Sequence, residues 1–270
     1  MYLLQKILCV LPLLVSTLFL ASCCKTEFEE RTLAMWDFDG TIIEGDCSEG
    51  LKAGEQTLYR GLIAESILAG FSKDYQGKTG VQRFFEEYNG KLAVGDKKGA
   101  YADVAKLFAG QDGKKIEAFA KHFFENDYYK YYYRESLKEW KKLASQGVEN
   151  HIISASLEIF VRAAAETLGM DKAYIHGVRI EEKDGKLTGQ IEMPFPFGDG
   201  KTQIMKQIEK ERNGKTLYGF GNSYSTDGAF LMQIVKQGGT SVMINGGNKD
   251  PNMAKYFICR EQTEIFKKQK

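Results

Sequence analysis

Two carboxylates lie two residues apart in the segment DFDGT, at the end of the apolar run formed by residues 32–37. A carboxylate can attack phosphorus, which splits one difficult hydrolysis into two easier displacements. A second acid can protonate the departing oxygen and later deprotonate the attacking water. Asp37 is therefore the candidate nucleophile, and Asp39 is the candidate acid and base. For the segment alone, an Asp-Gly turn at a strand end would explain both acids better.

Four apolar runs, rich in β-branched residues and followed by turn or small residues, predict buried parallel strands. They cover residues 32–37, 148–153, 216–220 and 240–244. Helical patterns that end at glycines follow the second and third runs. This succession predicts an α/β fold with a doubly wound parallel sheet. Because ligands bind such sheets beyond the carboxyl ends of the strands, Asp37, Ser154 and residues 221–227 would share one crevice.

Four motifs in this order resemble those of the haloacid dehalogenase (HAD) superfamily of phosphohydrolases, over about residues 33–247. DFDGT is similar to the first motif and Ser154 to the second. Lys201 is similar to the third, and GNSYSTD at residues 221–227 to the acidic fourth. One DxDGT occurs by chance now and then, but four motifs at strand ends are a specific signal. The resemblance implies a HAD-like Rossmannoid core and a phosphatase that acts through an aspartyl phosphate on Asp37.

The resemblance also implies Mg²⁺, an ion that prefers oxygen ligands and binds one or two carboxylates beside water and phosphate. The implied ligands are Asp37, the main-chain carbonyl of Asp39, Asp227, and Asn222 either directly or through water. The fourth motif of the family usually opens Gly-Asp, whereas this one opens Gly-Asn. An amide keeps an oxygen ligand but removes a charge, so we expect metal affinity to fall without vanishing.

A phosphate is repelled by a carboxylate nucleophile, so its site needs positive charge and fixed donors. On the same resemblance, Lys201 screens the phosphate and Ser154 donates its hydroxyl. The amides of Ala155 and Ser156, expected at the start of a helix, add further donors. Taken alone, Lys201 in a lysine-rich chain and Ser154 as a helix cap would be interpreted as structural.

Two acids beyond the first motif are candidates for substrate contact. Asp46 and Glu49 lie nine and twelve residues after Asp37, offsets similar to those of acids in phosphoserine and phosphocholine phosphatases. Together with aromatic residues they could hold an ammonium group by charge and cation–π contact. A small phosphate ester with a positive group is therefore the expected substrate. The alternative, equally open at this point, is that both acids belong to the solvated first turn of a helix.

Residues from about 46 to 144 are rich in aromatic residues and helix formers, which predicts a helical insertion between the first two core strands. Its position corresponds to the C1-type cap of the HAD superfamily. Residues 178–192 alternate around Asp184-Gly185, which predicts a hairpin. The predicted organisation is a signal peptide at 1–22, a linker at 23–31, a core at 32–45 and 145–260, a helical cap at 46–144 and a solvated tail at 261–270.

The N-terminus has the pattern of a targeting segment. Lys6 is the only charged residue among the first 22, and residues 7–20 form an uncharged stretch too short for a comfortable membrane span. The sequence Leu-Ala-Ser-Cys that ends at Cys23 resembles the lipobox of bacterial lipoprotein precursors. It implies export and a lipid anchor on Cys23 at the periplasmic or extracellular face of the envelope. An ordinary secretory signal or an uncleaved anchor would also export the protein.

Composition limits the other classes of function. The 270-residue chain carries 37 basic and 36 acidic residues, and this balance gives no indication of nucleic acid binding. Nothing indicates a protein partner. With three histidines and no HExxH or CxxC pattern, a zinc site is not expected, and each histidine should be structural or solvated. In an oxidising compartment, a disulfide bond between Cys47 and Cys259 is an alternative that the sequence neither supports nor excludes.

Three other functions fit parts of the pattern. A dehalogenase would use Asp37 but would need no acid at the second position, so Asp39 argues against it. A phosphotransferase would pass the phosphoryl group to another alcohol, which only competition between acceptors can distinguish. The third alternative is an envelope lipoprotein that uses a HAD scaffold to bind a ligand with little or no turnover. Asn222, in place of the usual acid, is the residue that favours it.

Overall fold

The computed structural model describes residues 30–265. Within this range the strands are β1 (Arg31–Trp36), β2 (Gly50–Ala53), β3 (Gln56–Arg60), β4 (Glu149–Leu157), β5 (Ile175–Val178), β6 (Ile180–Lys183), β7 (Lys186–Ile191), β8 (Gly214–Gly221), β9 (Thr240–Ile244) and β10 (Ile258–Arg260). The α-helices are α1 (Leu62–Leu68), α2 (Gly77–Ala93), α3 (Lys97–Lys106), α4 (Gly113–Asn126), α5 (Arg134–Ser145), α6 (Glu158–Thr167), α7 (Asp199–Arg212), α8 (Gly228–Lys236) and α9 (Pro251–Ala254). Short 3-10 helices cover Tyr128–Tyr131 and Lys172–Tyr174.

Six strands form one parallel sheet in the order β10, β9, β8, β1, β4, β5. The chain leaves β1 toward β4 and β5, then crosses back to β8 on the other side of β1. This reversal of strand order creates a crevice beyond the carboxyl ends of the central strands, where ligands bind in such sheets. The prediction of a doubly wound α/β fold is confirmed.

Alternating residues of β1 explain how the sheet is covered on both faces. Leu33 and Met35 are fully buried in one apolar cluster, which includes residues of α7 and α8. Ala34 and Trp36 are fully buried in the other cluster. The Trp36 ring stacks on Phe220 of β8 at 3.6 Å between centroids. A strand covered on both faces has no polar side, which is why its sequence is a continuous apolar run.

The insertion after β1 departs from the prediction in two ways. It is not wholly helical, because β2 and β3 form an antiparallel pair at its start. It also ends before residue 144, because α5 packs on the sheet: Trp140 lies 5.5 Å from Trp36 between ring centroids, and Asn150 of β4 donates to the Trp140 carbonyl. We therefore use the word cap for residues 46–133, with α5 as part of the core.

The hairpin predicted around Asp184-Gly185 is present as β6 and β7. Both turn residues have positive φ, 52° and 72°, the conformation that Asp-Gly favours in two-residue hairpin turns. The predicted solvated tail is wrong at Gln262, which is only 4% exposed. Its N–H donates to the Asn245 side chain at 2.7 Å, and its side chain accepts from Ser136.

Several predictions fall on residues outside the described range. They are the signal peptide at residues 1–22, the lipid anchor on Cys23, the linker up to residue 29 and the tail beyond residue 265. Within residues 30–265, no helix is both long and apolar enough to cross a membrane. Cys47 and Cys259 are free thiols, the first buried and the second exposed. The disulfide bond considered between them is therefore not formed.

A polar cluster ties together the strand ends opposite the crevice. Glu149 at the start of β4 accepts two hydrogen bonds from Arg212 and one from Arg31. It also bonds to His151 at 2.8 Å, and the second ring nitrogen of His151 lies 3.2 Å from His176 of β5. These two histidines are structural, as expected. Burial raises the pKa of Glu149, but Arg212, His151 and Arg31 outweigh it and lower that pKa to about 2.

The surroundings of His176 predict that mild acid destabilises the fold. Burial, followed by the nearby His151, Arg179 and Arg162, lowers its pKa from 6.5 to about 3. Between pH 6.5 and pH 3, the unfolded chain therefore binds a proton that the folded chain does not bind. The free energy of unfolding has its full value above pH 6.5 and falls as the pH drops below it. We expect the free energy of unfolding to fall between pH 7 and pH 5 by about 1–2 kcal/mol more in the parent than in His176→Asn.

Urea titrations at the two pH values measure this difference. The matched control is His122→Asn, at an exposed position of α4, which should keep the pH dependence of the parent. If the free energy of unfolding changes equally between pH 7 and pH 5 in the parent and in His176→Asn, the assignment to His176 is wrong.

Candidate active site

Asp37 follows β1 directly, and its position is fixed from both ends. Its N–H donates to the Phe220 carbonyl of the neighbouring strand at 2.8 Å, so the parallel ladder holds its backbone. The side chain of Asp37 is 8% exposed. The Thr41 hydroxyl donates to Oδ2 at 3.1 Å, and Lys201 Nζ donates to Oδ1 at 2.6 Å. The candidate nucleophile is therefore an oriented carboxylate at the bottom of the crevice.

Gly40 brings the first and fourth motifs together. It has φ +70°, a conformation that glycine adopts without steric cost. A Cβ at this position would lie 1.9 Å from Nδ2 of Asn222. Only a glycine lets the Asn222 side chain lie against the backbone of the DFDGT loop. The predicted convergence of these two segments is present.

Lys201 lies near the start of α7 and is fully buried between two carboxylates. Its Nζ donates to Asp37 Oδ1 at 2.6 Å and to Asp227 Oδ1 at 2.7 Å. Burial lowers the pKa of Lys201, but Asp227 and Asp37 together outweigh it and raise the pKa above its usual value. The side chain is therefore a fixed positive charge beside the candidate nucleophile.

Asp227 accepts hydrogen bonds on both of its carboxylate oxygens. Its Oδ2 accepts the N–H groups of Asn222 and Ser223, each at 3.0 Å, while its Oδ1 accepts from Lys201. The carboxyl group is fully buried, and both of its oxygens are engaged. Asp227 thus holds the GNSYSTD loop and Lys201, and the prediction that it also binds the metal stays a prediction.

Asp39 lies in a cradle of donors from the core and from the start of the cap. Its Oδ1 accepts from the Cys47 N–H at 2.7 Å. Its Oδ2 accepts from the Ser156 hydroxyl at 2.7 Å and from the Ser154 hydroxyl at 3.4 Å. Burial raises the pKa of Asp39, and the Cys47 amide and Ser156 oppose that rise. A carboxyl group with a raised pKa can carry a proton for transfer.

The second motif has a local structure other than the one predicted. Ala155 and Ser156 do not begin a helix: β4 continues through Leu157, and α6 starts at Glu158. The Ser156 amide is occupied, because it donates to Ser154 Oγ at 3.0 Å. The Ser154 hydroxyl lies 3.4 Å from Asp39 Oδ2, although Ser154 precedes the end of β4 by three residues. Ala155, which is partly exposed, remains a candidate donor to phosphate.

Asp46 and Glu49 lie in the turn that leads into β2, so the alternative of a first helical turn is wrong. Asp46 Oδ1 accepts the N–H groups of Ser48 and Glu49 at 2.7 and 2.9 Å. Glu49 is exposed, and its Oε1 accepts from the Tyr88 hydroxyl of α2 at 2.6 Å. Burial raises the pKa of Asp46 well above its usual value, with Asp39 and Glu49 adding to the rise.

Aromatic side chains extend from these acids to the core. Tyr88 lies 6.4 Å from Tyr101 of α3, and Tyr101 lies 5.4 Å from Phe195 of the loop before α7, all between ring centroids. Burial raises the pKa of Tyr101, and Asp46 and Glu49 add most to that rise. Lys97, one helical turn from Tyr101, lies over the Phe197 ring at 4.6 Å. Cap and core therefore meet through aromatic rings beside the two acids.

The charges of the crevice favour a cation. Burial raises the pKa of Asp37 to about 7, with Asp227 adding to the rise and Lys201 opposing it. The pKa values of Asp39 and Asp46 are raised as well, with burial as the first cause. Asp37, Asp39, Asp46 and Asp227 thus place four carboxyl groups near the buried ammonium of Lys201, and such a surplus of buried carboxyl groups favours a bound cation.

The available oxygen atoms fit Mg²⁺. The Asp37 carboxylate, the Asp39 main-chain carbonyl and the Asn222 side-chain oxygen are all hard donors of the kind this ion prefers. In the described part of the chain, no group of three or more His, Cys, Asp or Glu side chains is arranged to hold a metal. In this set of oxygen atoms, the Asp37 carboxylate is joined by a main-chain carbonyl and a side-chain amide.

Some site residues were missed at the level of sequence. The hydroxyls of Thr41 and Ser156, the Cys47 amide and the ring of Tyr101 contact or face the candidate catalytic acids. Two of them had usable signals. Ser156 follows Ser154 by two residues, which strand geometry places on one face, and Thr41 belongs to the DFDGT segment. The contacts of the Cys47 amide and of Tyr101 depend on how the cap folds back.

The chain belongs to the haloacid dehalogenase-like hydrolase family. The model of that family matches residues 34–227, which is more than half of the sequence. This range begins just before the DFDGT segment and ends at Asp227. No curated protein sequence matches the chain.

Solved structures share the fold at low sequence identity. A protein of unknown function from Bordetella pertussis Tohama I is 15% identical, with a TM-score of 0.68 over 85% of this chain and 98% of that chain. A HAD family hydrolase from Salmonella enterica serovar Typhi is 14% identical, with a TM-score of 0.55 over 86% and 67%. A phosphoserine phosphatase, solved as a phospho-aspartyl intermediate analogue, is 20% identical, with a TM-score of 0.51 over 86% and 93%. At these identities the likeness establishes the fold.

Removing the charge of Asp227 should affect both turnover and stability. Asp227→Asn leaves Lys201 with one carboxylate and weakens the hold on the GNSYSTD loop. We expect turnover to fall by about two orders of magnitude, and the free energy of unfolding to fall by about 3 kcal/mol. Steady-state kinetics and urea titration measure the two effects, with Asp184→Asn in the exposed β6–β7 turn as control. Unchanged turnover in Asp227→Asn would overturn the assignment.

A second carboxylate beside Gly40 should strengthen metal binding. Asn222→Asp restores the charge that the fourth motif of the family usually carries, so we expect Mg²⁺ to bind about tenfold more tightly. Calorimetric titration with Mg²⁺ measures the affinity without reference to activity. Asn248→Asp, at an exposed position after β9, is the control for added charge. Equal affinity in the parent and Asn222→Asp would show that this side chain does not contact the metal.

Proposed function

We propose that this protein is a Mg²⁺-dependent phosphomonoesterase that forms an aspartyl phosphate on Asp37. The observation that carries the proposal is the contact of one buried ammonium, Lys201, with both Asp37 and Asp227 at 2.6 and 2.7 Å. A second acid, Asp39, lies two residues from the nucleophile. Membership of a hydrolase family supports a reaction of this class.

The side chains divide the reaction into two displacements. An Asp37 oxygen forms a bond to phosphorus while the bond to the leaving oxygen breaks, and Asp39 gives its proton to that oxygen. Water then attacks the phosphorus, Asp39 takes a proton from it, and the bond from Asp37 to phosphorus breaks. Lys201 holds Asp37 in place and offsets the negative charge of the phosphate.

The metal and the remaining donors act on the phosphoryl oxygens. Mg²⁺, when bound to Asp37, the Asp39 carbonyl and Asn222, supplies positive charge that stabilises the transferring group. Ser154 and the Ala155 amide lie at the end of β4 and offer neutral donors. Each of these groups is fixed by the fold before substrate arrives, which is the arrangement that favours electrostatic stabilisation.

The substrate that we propose is a small phosphomonoester with a cationic group, similar to phosphocholine or phosphoserine. The acids Asp46 and Glu49 supply negative charge, and Tyr101 and Phe195 supply aromatic faces for an ammonium group. Glu49 is oriented by its hydrogen bond from Tyr88. Among the structural relatives, phosphoserine phosphatases have the same fold, which supports this class of substrate.

We also propose that the enzyme acts outside the cytoplasmic membrane and is anchored by a lipid on Cys23. The support comes from the uncharged stretch at residues 7–20 and from the lipobox-like sequence that follows it. Metabolic labelling with a fatty acid tests the anchor. Label should be present in the parent and absent in Cys23→Ala.

A ligand-binding lipoprotein with little turnover is the second candidate. It is favoured by one observation, the replacement of an acid by Asn222, together with the engagement of both Asp227 oxygens. The replacement leaves the site with one carboxylate fewer than the fourth motif of the family usually supplies. Retention of the nucleophile, of Asp39 and of Lys201 argues against this candidate.

Phosphate release from a panel of esters separates the two functions. The panel is phosphocholine, phosphoethanolamine, phosphoserine and glucose 6-phosphate, each with Mg²⁺ or with a chelator. We expect Mg²⁺-dependent release that is fastest with the three cationic esters and absent in Asp37→Asn. No release from any ester by the parent would favour the binding function.

The contribution of Glu49 tests the proposed class of substrate. Glu49→Gln should raise KM by about threefold for the esters that carry an ammonium group, with little change for glucose 6-phosphate. The matched control is Glu55→Gln, an exposed residue in the β2–β3 turn, which should behave as the parent. Equal changes in KM for the esters with an ammonium group and for glucose 6-phosphate would contradict the ammonium-binding role.

A further inference from the structure

A chain of hydroxyl groups leads to one oxygen of Asp39. The Ser156 Oγ donates to Asp39 Oδ2 at 2.7 Å and lies 2.8 Å from Ser48 Oγ. Ser156 is 4% exposed and Ser48 is 7% exposed. The other oxygen of Asp39 accepts from the Cys47 amide at 2.7 Å. The two oxygens of this carboxyl group thus face donors of different kinds.

Both serines are held by backbone structure. Ser156 lies near the end of β4, and its N–H is fixed by Ser154 Oγ at 3.0 Å. The Ser48 N–H donates to Asp46 Oδ1 at 2.7 Å, and its carbonyl accepts the Ile63 N–H of α1 at 3.1 Å. The hydroxyls meet because the turn that leads into the cap lies against the strand end. Neither residue belongs to the four motifs that indicated the site.

We propose that Ser156, supported by Ser48, is a positioning residue that holds Oδ2 of Asp39 as the oxygen from which the proton is transferred. This inference rests on the proposed phosphatase function. A backbone N–H can only donate, so the Cys47 amide suits Oδ1 as an acceptor throughout the reaction. A hydroxyl can either donate to a carboxylate or accept from a carboxylic acid. Ser156 therefore suits Oδ2 both with and without its proton.

The proton balance of the reaction agrees with this assignment. Before the first displacement, protonated Oδ2 donates to Ser156, and Ser156 donates to Ser48. When the bond from phosphorus to the leaving oxygen breaks, that oxygen takes the proton from Oδ2. Ser156 then donates to the carboxylate, with Ser48 donating to Ser156. The attacking water returns a proton to Oδ2 in the second displacement, and neither serine gains or loses a proton overall.

The dependence on the leaving group separates positioning from a merely structural role. An alkoxide needs a proton as it departs, whereas p-nitrophenolate leaves readily without one. In the full-length chain we expect Ser156→Ala to lower kcat for phosphoethanolamine about tenfold, and kcat for p-nitrophenyl phosphate by less than about twofold. KM for both esters should change little. Ser156→Thr, which keeps a hydroxyl on a residue that strands accommodate, should restore the rate with phosphoethanolamine.

Two further variants keep the result interpretable. Ser48→Ala should show the same bias between the two esters with a smaller loss, and it reports on the chain if Ser156→Ala fails to fold. Ser241→Ala removes a buried hydroxyl near the start of β9 that donates to the Leu231 carbonyl at 2.7 Å and has no contact with Asp39. It should lower stability without any bias between the esters.

The outcomes distinguish this inference from the proposed function. Equal losses with both esters in Ser156→Ala and Ser48→Ala, or no loss in either variant, would overturn the positioning role while the phosphatase function stands. Absence of phosphate release from both esters by the parent would overturn the two together.

Discussion

The site depends on one ammonium group buried between two carboxylates. Lys201 is fully buried, and its Nζ contacts Asp37 after β1 and Asp227 at the start of α8. A buried charge is tolerated only where its partners compensate the loss of water. This requirement joins three segments that are far apart in sequence. The loop that carries Asp227 is fixed in turn by its own N–H groups on the second carboxylate oxygen.

The charge of Lys201 is balanced by Asp37 and Asp227, which leaves the rest of the crevice with an excess of carboxyl groups. Asp39 and Asp46 have raised pKa values, with burial as the first cause. The fold stabilises these groups by local donors, such as the Cys47 amide on Asp39 and the Ser48 and Glu49 amides on Asp46. Donors of this kind orient a carboxyl group but do not neutralise it. The excess of acid favours binding of a metal ion or of a cationic substrate, and the proposed function uses both.

The sequence predicted the parts of the fold and site that depend on local pattern. Leu33, Ala34, Met35 and Trp36 are all buried, on alternate faces of the sheet, so the central strand is recognisable as a continuous apolar run. The first motif follows that run directly. The β2–β3 pair was missed because its strands are short and mostly exposed, so they carry little apolar alternation. The role of the Ser156 amide was misjudged for another reason, because it depends on where β4 ends. The contacts of Asp227 could not be predicted either, because they depend on which donors reach each carboxylate oxygen.

The cradle of Asp39 connects the chemistry to the cap. One of its donors, Ser156, belongs to the core sheet, while the Cys47 amide and the supporting Ser48 belong to the turn that begins the cap. The next residue in that turn is Glu49, which Tyr88 of α2 holds by a hydrogen bond. A shift of the cap therefore moves the donors of the candidate acid together with a candidate substrate contact. In this architecture, substrate selection by the cap and proton transfer at Asp39 share the same four residues of backbone, Asp46 to Glu49, so changes in one should alter the other.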